Sequence, residues 1–233
     1  IHIEVLKNEI FYFWFKILEM KKITTTFIFL IFTSALFAQQ FGIKAGLNLT
    51  NVYGDDKVFL DDDFTNPLKP GAKITVFAQF GEESTRFTTN VGISQKGFVM
   101  KDQYEDPLGS VKAKGTYHLN YLDLNTSVNY FVSDVLSINL GAGLSILLNG
   151  KNTLDYYDVT GTAVGLFEDF EDDAEIGEDI SGIDFGVSLG STFYITEKLF
   201  LDANYYLGLA TLDPDGDDSI YNNAITVSCG YVF

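Results

Sequence analysis

The sequence predicts an all-β protein, an eight-stranded antiparallel up-and-down β-barrel that spans a membrane. Apolar and polar residues alternate with a period of two in eight separate segments, the pattern of strands that have one apolar face. Long and short connections alternate between these segments, as in transmembrane barrels. The polar face carries lysine, arginine and aspartate, which the apolar core of a soluble barrel would not contain.

The eight segments follow one another without a long helical or purely apolar stretch between them. The predicted strands are 41–50, 72–80, 86–98, 117–131, 135–148, 182–194, 199–210 and 223–233. The predicted long connections are 51–71, 99–116, 149–181 and 211–222, and the short ones are 81–85, 132–134 and 195–198. Short turns face the periplasm in barrels of this type, so we expect the N- and C-termini there.

Seven charged residues are predicted to point into the barrel. They are Lys44, Lys73, Arg86, Lys96, Asp123, Asp184 and Asp202. Eight strands enclose a lumen that side chains fill, so we expect these charges to form an interior polar network in a plugged lumen. The alternative function for the same residues is a gated ion path.

Aromatic residues lie close to the predicted strand ends, where membrane barrels have aromatic girdles. They are Tyr117, Tyr121, Tyr130, Tyr194, Tyr205, Tyr231 and Phe233. The terminal Phe233 also resembles the C-terminal signal that barrel assembly machinery reads. We therefore expect that machinery and outer-membrane lipid as partners, and a monomeric barrel.

The first 38 residues are predicted not to belong to the barrel. Met20 is followed by two lysines, an apolar run over 23–37 and Ala38, which together indicate a signal peptide at 20–38. Residues 1–19 are interpreted as an upstream, non-native extension, with a genuine amphipathic helix as the alternative. The barrel then occupies 39–233.

Composition excludes two classes of function and structure. The net charge is −17, and a nucleic-acid-binding protein needs clustered lysine and arginine, so no nucleic acid is expected as a partner. Cys229 is the single cysteine, which excludes a disulfide framework.

Three segments resemble a known family. VGISQKGF at 91–98, YLDLNTSVNYF at 121–131 and INLGAGLSILLNG at 138–150 are similar to the PorT-like outer-membrane β-barrel proteins of Bacteroidetes, and FGIKAGLNLTNV at 41–52 resembles their first strand. The resemblance covers essentially 39–233. It implies an outer-membrane barrel and no shared activity, although one branch of the family is linked to a secretion system. Asn125 stands where the family often has proline.

The predicted outer loops are rich in carboxylates. Asp213, Asp215 and Asp217 are weak calcium candidates, because clustered carboxylates bind calcium. Gly216 and Ala224 do not match the glycine and glutamate positions of an EF-hand loop, so a solvated acidic loop without metal is the preferred interpretation.

No catalytic site and no cofactor site are predicted. His118 is the one histidine after residue 38, and Ser110, Asp106 and Asp123 are near it in sequence. These residues do not form a recognisable set of nucleophile, base and orienting group, so we expect a non-enzyme. The leading hypothesis is a structural or surface-interaction barrel. The alternatives are a small-solute or ion channel and an accessory component of a secretion system.

Overall fold

The computed structural model describes residues 40–54, 66–82, 84–106, 109–157, 159–160, 171–175, 180–213 and 219–233. The segment Ile1–Gln39, which holds the predicted extension and signal peptide, lies outside them. No helix in the described part of the chain is long and apolar enough to cross a membrane.

Nine strands make up the described part of the chain. They are β1 Gln40–Gly54, β2 Lys69–Glu82, β3 Thr85–Asp106, β4 Gly109–Ser133, β5 Leu136–Tyr157, β6 Glu171–Glu175, β7 Ile183–Tyr194, β8 Leu199–Thr211 and β9 Ile220–Val232. All eight predicted strands are present, and β6 is additional.

Eight of these strands form a closed ring. Each of them pairs antiparallel with its neighbours in the order β4-β3-β2-β1-β9-β8-β7-β5, and a β4–β5 pairing closes the circle. Strands β1 and β9 pair from Gly42 opposite Val232 to Gly54 opposite Ile220. This closed ring confirms the predicted eight-stranded antiparallel barrel. It leaves no strand edge unpaired around the ring, as a sheet that spans a membrane requires.

The two faces of the strands differ as the alternation predicts. Outward residues such as Leu47, Leu140 and Leu189 keep 65%, 64% and 57% of their surface exposed. Inward polar residues such as Asp184 and Ser137 are fully buried. Aliphatic side chains outside and polar side chains inside are the arrangement of a barrel whose outer surface meets lipid.

The short connections lie at one end of the barrel. Residue 84, residues 134–135 and residues 195–198 belong to them, and Phe233 N donates to Phe41 O at 2.9 Å at the same end. In the third turn, Thr196 Oγ1 accepts bonds from the backbone N–H groups of Lys198 and Leu199 at 3.2 and 2.9 Å. Such side-chain bonds satisfy the backbone of a tight turn.

The prediction that residues 99–116 form a long loop is wrong. Strands β3 and β4 stay paired from Thr85 opposite Tyr130 to Asp106 opposite Gly109, so only 107–108 connect them. Strand β2 pairs with β3 only as far as Ser94, and β7 pairs with β5 only as far as Ile146. Beyond Ser94 and Ile146 the sheet continues with β3, β4, β5 and β6, but without β2 and β7. We call residues 99–106, 109–116, 150–157 and 171–175 the projecting sheet.

Part of the predicted acidic loop 149–181 is also a strand. The backbone of β6 pairs with the far end of β5, from Lys151 opposite Glu175 to Asp155 opposite Glu171. A β-bulge between Asn120 and Tyr121 leaves Leu148 without a partner on β4 and brings Leu147 opposite Tyr121. Bulges re-aim side chains in this way, and Leu147 packs against the buried interior.

Three of the seven predicted girdle residues face the interior instead. Tyr121 is fully buried, Tyr117 packs against the buried cluster around it, and Tyr194 packs against Phe77 and Phe200. Tyr130, Tyr205, Tyr231 and Phe233 are exposed. Position near a strand end therefore identified these aromatic residues but did not give the face on which each one lies.

Candidate functional site

A chain of ion pairs crosses the interior of the barrel. Lys73 Nζ lies 2.8 Å from Asp123 Oδ2, and Lys96 Nζ lies 3.8 Å from Asp123 Oδ1 and 3.0 Å from Asp184 Oδ2. Both carboxylates are buried, with 1% and 0% of their side-chain surface exposed. Strands β2, β4, β3 and β7 each contribute one residue, so the chain joins four strands around the ring.

The ammonium group of Lys96 is the centre of this cluster. It donates to Ser145 Oγ at 2.8 Å, and Ser145 in turn donates to Asp123 Oδ1 at 2.7 Å. The rings of Tyr206 and Tyr121 lie with their centroids 4.4 and 4.9 Å from Nζ, close enough for cation–π attraction. A buried ammonium needs this density of partners to offset its lost hydration.

The segment Gln95-Lys96-Gly97 ties this cluster to the ring at the place where β3 loses β2 as a partner. Its three carbonyl oxygens accept side-chain bonds from Asn48 Nδ2 at 3.2 Å, Lys69 Nζ at 3.2 Å and Thr50 Oγ1 at 2.7 Å respectively. Gly97 has a φ of 122°, and a Cβ there would overlap the carbonyl oxygen of Tyr117. Only glycine adopts this conformation without strain.

A second ion pair lies apart from the first chain. Lys44 Nζ is 3.3 Å from Asp202 Oδ1, and Asn204 Nδ2 donates to the same carboxylate. Arg86 Nη1 instead donates to Gln40 Oε1 at 3.3 Å and Gln79 Oε1 at 3.4 Å. Its guanidinium also stacks 4.5 Å from the ring centroid of Phe131.

The seven residues selected from the sequence therefore divide into three groups. Lys73, Lys96, Asp123 and Asp184 form one chain of ion pairs, and Lys44 pairs with Asp202. Arg86 contacts amide oxygens and an aromatic ring near the short turns.

A cavity of about 100 Å³ lies among these charged groups. Its walls are rich in Asn, Ser and Thr, and they also include Lys44, Lys73, Lys96, Asp123 and Asp202. Asn90 Oδ1 and Tyr206 Oη belong to residues of this wall, and neither atom has a hydrogen-bond partner among the described residues. A polar space of this size has room for several water molecules.

Apolar clusters lie on both sides of the polar layer. On the side of the long connections, Val52, Phe98, Leu119, Tyr121, Ile180 and Leu212 pack together. Ile180 and Leu212 come from connecting segments, which a bond from Ser181 N to Leu212 O at 2.8 Å joins. On the side of the short turns, Phe77, Phe200 and Val232 form the second cluster with Tyr194.

Small inward residues make room for the rings of the second cluster. A Cβ at Gly42 would overlap the ring of Phe77, and a Cβ at Gly230 would overlap the ring of Phe200. The two rings meet edge to face at 5.7 Å between centroids. Large side chains therefore fill the narrow lumen where the facing strand carries glycine.

Several interior residues were not predicted from the sequence. Lys69 is buried with 4% of its surface exposed, but it fell in the predicted loop 51–71. Lys69 lies four residues before Lys73, so on a longer β2 both side chains lie on the same face, and this spacing could have identified it. Asn222 donates to Asp184 Oδ2 at 3.1 Å and lay outside the predicted last strand. Ser145 was placed on the correct face, but alternation does not tell which inward hydroxyl meets a charge.

The remaining candidates do not come together as a site. Asp213 is described, whereas Asp215 and Asp217 lie outside the described residues. Within the described ranges, no three His, Cys, Asp or Glu residues are grouped as metal ligands. His118 is exposed while Asp123 is buried, so the two lie on opposite faces of β4.

Residues 37–213 match the model of the outer membrane protein β-barrel domain family. The chain belongs to this family. Its members are barrels of the outer membrane, which agrees with the apolar outer face and the closed ring. No curated protein matches the chain.

Solved structures of other outer-membrane proteins are similar to this family member. The attachment invasion locus protein Ail of Yersinia pestis aligns at 12% identity and a TM-score of 0.45, over 83% of this chain and 98% of Ail. Neisserial surface protein A aligns at 15% identity and a TM-score of 0.43, over 83% and 97%. The outer membrane protease OmpT from Escherichia coli aligns at 9% identity and a TM-score of 0.39, over 84% and 97%.

Proposed function

We propose that this outer-membrane barrel is a non-enzymatic structural and surface-interaction protein with a plugged lumen. The observation that carries the proposal is the chain Lys73–Asp123–Lys96–Asp184, which joins four strands inside the ring. The apolar clusters on both sides of this layer support the same function. The membrane-spanning part then acts as a rigid support for the segments at its long-connection end.

Energetics favour a closed lumen. An ion that passed through the layer would have to displace Lys96 from Asp123, Asp184 and Ser145, all of which are buried. Removing one partner of a buried ion pair costs about 3–5 kcal/mol, because the remaining charge is left uncompensated. Eight strands leave little room for a second path beside the side chains.

The orientation in the membrane is part of the proposal. Short turns and both described chain ends lie at one end of the ring, which we assign to the periplasm because outer-membrane barrels have short periplasmic turns. Phe233 is 73% exposed there, in a position to be read by the barrel assembly machinery. The projecting sheet then extends outside the cell.

The placement of His118 supports a non-enzymatic role. His118 lies on the outer face of β4, on the opposite side from the buried carboxylates Asp123 and Asp184. A general base must be within hydrogen-bond reach of its partners, and these groups are separated by the wall of the barrel.

The finer resemblance to PorT-like proteins of Bacteroidetes stays a prediction. The structure gives a physical reason for the Gln-Lys-Gly motif on which that resemblance partly depends. Lys96 supplies the central cation, and the carbonyl oxygens of Gln95 and Gly97 receive side-chain bonds from β1.

Planar-bilayer recording tests the plugged lumen. The protein, purified from outer membranes and shown to be folded by a heat-dependent gel shift, is expected to give no stable single-channel steps. A Lys198→Gln variant, which alters an exposed lysine at a short turn, serves as a matched control and should be equally silent. Stable steps from the folded protein would contradict a plugged lumen.

Ion or small-solute passage is the second candidate function, and the polar cavity is the observation that favours it. If ions move through this cavity, Lys73→Gln and Asp123→Asn should change the size or selectivity of the steps, because both residues form part of its wall. Lys198→Gln should leave them unchanged.

A further inference from the structure

The projecting sheet has an edge that no described strand covers. Strand β3 pairs with β2 only as far as Ser94, whereas its pairing with β4 continues to Asp106. Over residues 99–106, the side of β3 that faces away from β4 therefore has no strand partner among the described residues. We call this side the β3 edge. An uncovered strand edge is a ready template for pairing with another chain.

The backbone groups along the β3 edge belong to every second residue. Asp106 and Gly109 flank the two-residue connection between β3 and β4, and the pair that flanks such a connection exchanges its backbone hydrogen bonds. The even-numbered residues of β3 therefore bond to β4, and the odd-numbered ones are directed to the other side. The carbonyl oxygens of Gln95 and Gly97 agree with this alternation, because they accept side-chain bonds from β1.

The sequence of the β3 edge is complementary to itself. When two copies are aligned antiparallel about Gln103, Lys101 of each copy lies opposite Glu105 of the other. The paired positions in this register are all odd-numbered, so each has its N–H and C=O groups on the shared side. Opposite charges directly across two strands stabilise their pairing. Within its own sheet, Lys101 lies opposite a like charge, Lys114.

Charge disfavours the other edge pairings that two copies of the projecting sheet offer. Four of the five residues of β6, Glu171–Glu175, are carboxylates, so two β6 edges repel each other. A β6 edge against a β3 edge brings the same strand to a segment with one lysine and three carboxylates. Pairing of β3 with β3 places opposite charges together, and it closes at two copies because both use the same surface.

The direction of the strands decides where the second copy lies. Strand β3 is continuous from the ring into the projecting sheet, and barrel strands are tilted about 35–45° from the membrane normal. Two copies in one membrane are related by an axis along that normal, so their β3 strands cross at about 70–90° instead of running antiparallel. Copies that face each other from two membranes satisfy the antiparallel arrangement.

We propose that the β3 edge binds the β3 edge of a second copy of this chain in a facing membrane. The two sheets become one antiparallel sheet across residues 101–105, in which Lys101 and Glu105 face each other on both sides of Gln103. The inference rests on the proposed surface-interaction role and orientation of the projecting sheet, and it does not depend on whether the lumen conducts. So short a contact is weak alone, and many copies on two surfaces act together.

Association of nanodiscs that each hold one barrel tests the proposal, because their barrels meet only from separate membranes. Donor and acceptor dyes on the disc scaffold report association by energy transfer as the concentration is raised. Discs with the unaltered protein are expected to associate. Discs with Lys198→Gln, which alters an exposed lysine at the opposite end of the barrel, are the matched control and should associate equally. A heat-dependent gel shift confirms that every variant is folded.

Charge reversal tests the register. Lys101→Glu and Glu105→Lys each place like charges in both cross-strand pairs when a variant meets itself. Each reversed pair changes the affinity about fivefold, so either variant alone should associate about 25-fold more weakly than the unaltered protein. A mixture of the two variants restores opposite charges in both pairs. The mixed discs should therefore regain the affinity of the unaltered protein.

A proline tests the backbone pairing separately from charge. Gln103→Pro removes an N–H group that is directed away from β4, so the pairing of β3 with β4 is kept while the ladder between two copies loses its centre. Association should be lost. Gln103→Ala is the matched control and should associate as the unaltered protein does, because the backbone and not the side chain carries this contact.

Three outcomes would overturn the proposal. They are no association of discs with the unaltered protein, equal association of all variants, and failure of the mixed charge variants to recover. Equal association of all variants would assign the contact to another surface. A failure here is distinguishable from a failure of the plugged lumen. Silent bilayers without disc association would remove only the pairing of copies, and stable conductance with disc association would remove only the closed lumen.

Discussion

The lysines inside the barrel and the lysines on the projecting sheet are the same side chain in opposite surroundings. Lys96 is 4% exposed and contacts two carboxylates, a hydroxyl and two aromatic rings. Lys114 has 38% of its side-chain surface exposed and is 3.5 Å from Asp155. Removing one partner of a buried ion pair is costly because it leaves an uncompensated buried charge, whereas an exposed pair contributes little because water screens it. The comparison teaches that the same substitution should have very different effects on stability in the two regions.

Removal of the central interior cation is expected to have the largest effect. Lys96→Met leaves Asp184 and Asp123 buried with fewer compensating charges, which costs about 3–5 kcal/mol in the free energy of unfolding. Urea unfolding in lipid vesicles, followed by intrinsic tyrosine fluorescence or by gel shift, measures the change. The double variant Lys96→Met with Asp184→Asn should recover part of the loss, and a double variant as unstable as the single one would contradict the pairing.

A charge placed on the lipid face should have the next largest effect. Leu140 is 64% exposed near the middle of the apolar band, and Leu140→Arg is expected to destabilise the folded barrel by about 2–4 kcal/mol. The same unfolding measurement applies. Leu148→Arg, at the edge of the band where the arginine can reach headgroups, is the control and should cost less. Equal losses at both positions would contradict this placement of the apolar band in the membrane.

Filling the space reserved for an interior ring should have a smaller effect. In Gly230→Ala the new methyl group overlaps the ring of Phe200, and forced repacking of this kind costs about 1–3 kcal/mol. Gly182→Ala is the matched control, because a Cβ there meets nothing within 4 Å. If both variants have the stability of the unaltered protein, the cluster of Phe77 and Phe200 is looser than the structure indicates.

The smallest effect on stability is expected at the lysines of the projecting sheet. Lys101→Gln and Lys112→Gln should each change the free energy of unfolding by less than about 0.5 kcal/mol, as exposed substitutions usually do. The same unfolding measurement applies. A loss as large as that of Lys96→Met would show that the outer lysines support the fold, and it would remove the contrast between the two regions.

Alternation predicted the ring because lipid enforces it. On β5, Leu136, Ile138 and Leu140 must face lipid while Ser137 and Asn139 face the interior, and the sequence carries that constraint directly. Residues 99–116 lie beyond the apolar band, where lipid no longer requires a continuous apolar face. Val111, Ala113 and Tyr117 do alternate with Lys112, Lys114 and Thr116 on β4, but this run is short, and the segment was interpreted as a loop.

The interior ion pairs were harder to predict from the sequence than the ring of strands. Sequence parity placed Asp123 and Asp184 on the inner face, but the strands that carry them are related through the tilt and register of the ring. Only those geometric quantities decide that Lys96 meets Asp184 and that Lys44 meets Asp202. The bulge at Leu148 adds a shift of one residue, which no alternating pattern indicates.

Closure of the ring by β1 and β9 has a consequence for how the chain folds. Seven of the eight strand pairings join strands that follow one another around the ring in chain order, whereas β1 must find β9. Lys44 and Asp202, and likewise Asn48 and Thr226, are 158 and 178 residues apart in sequence yet bond to each other. Contacts of such long range form slowly because the loop entropy is lost before the contact is gained. Until that last seam closes, the growing sheet has two open edges that can pair with another chain.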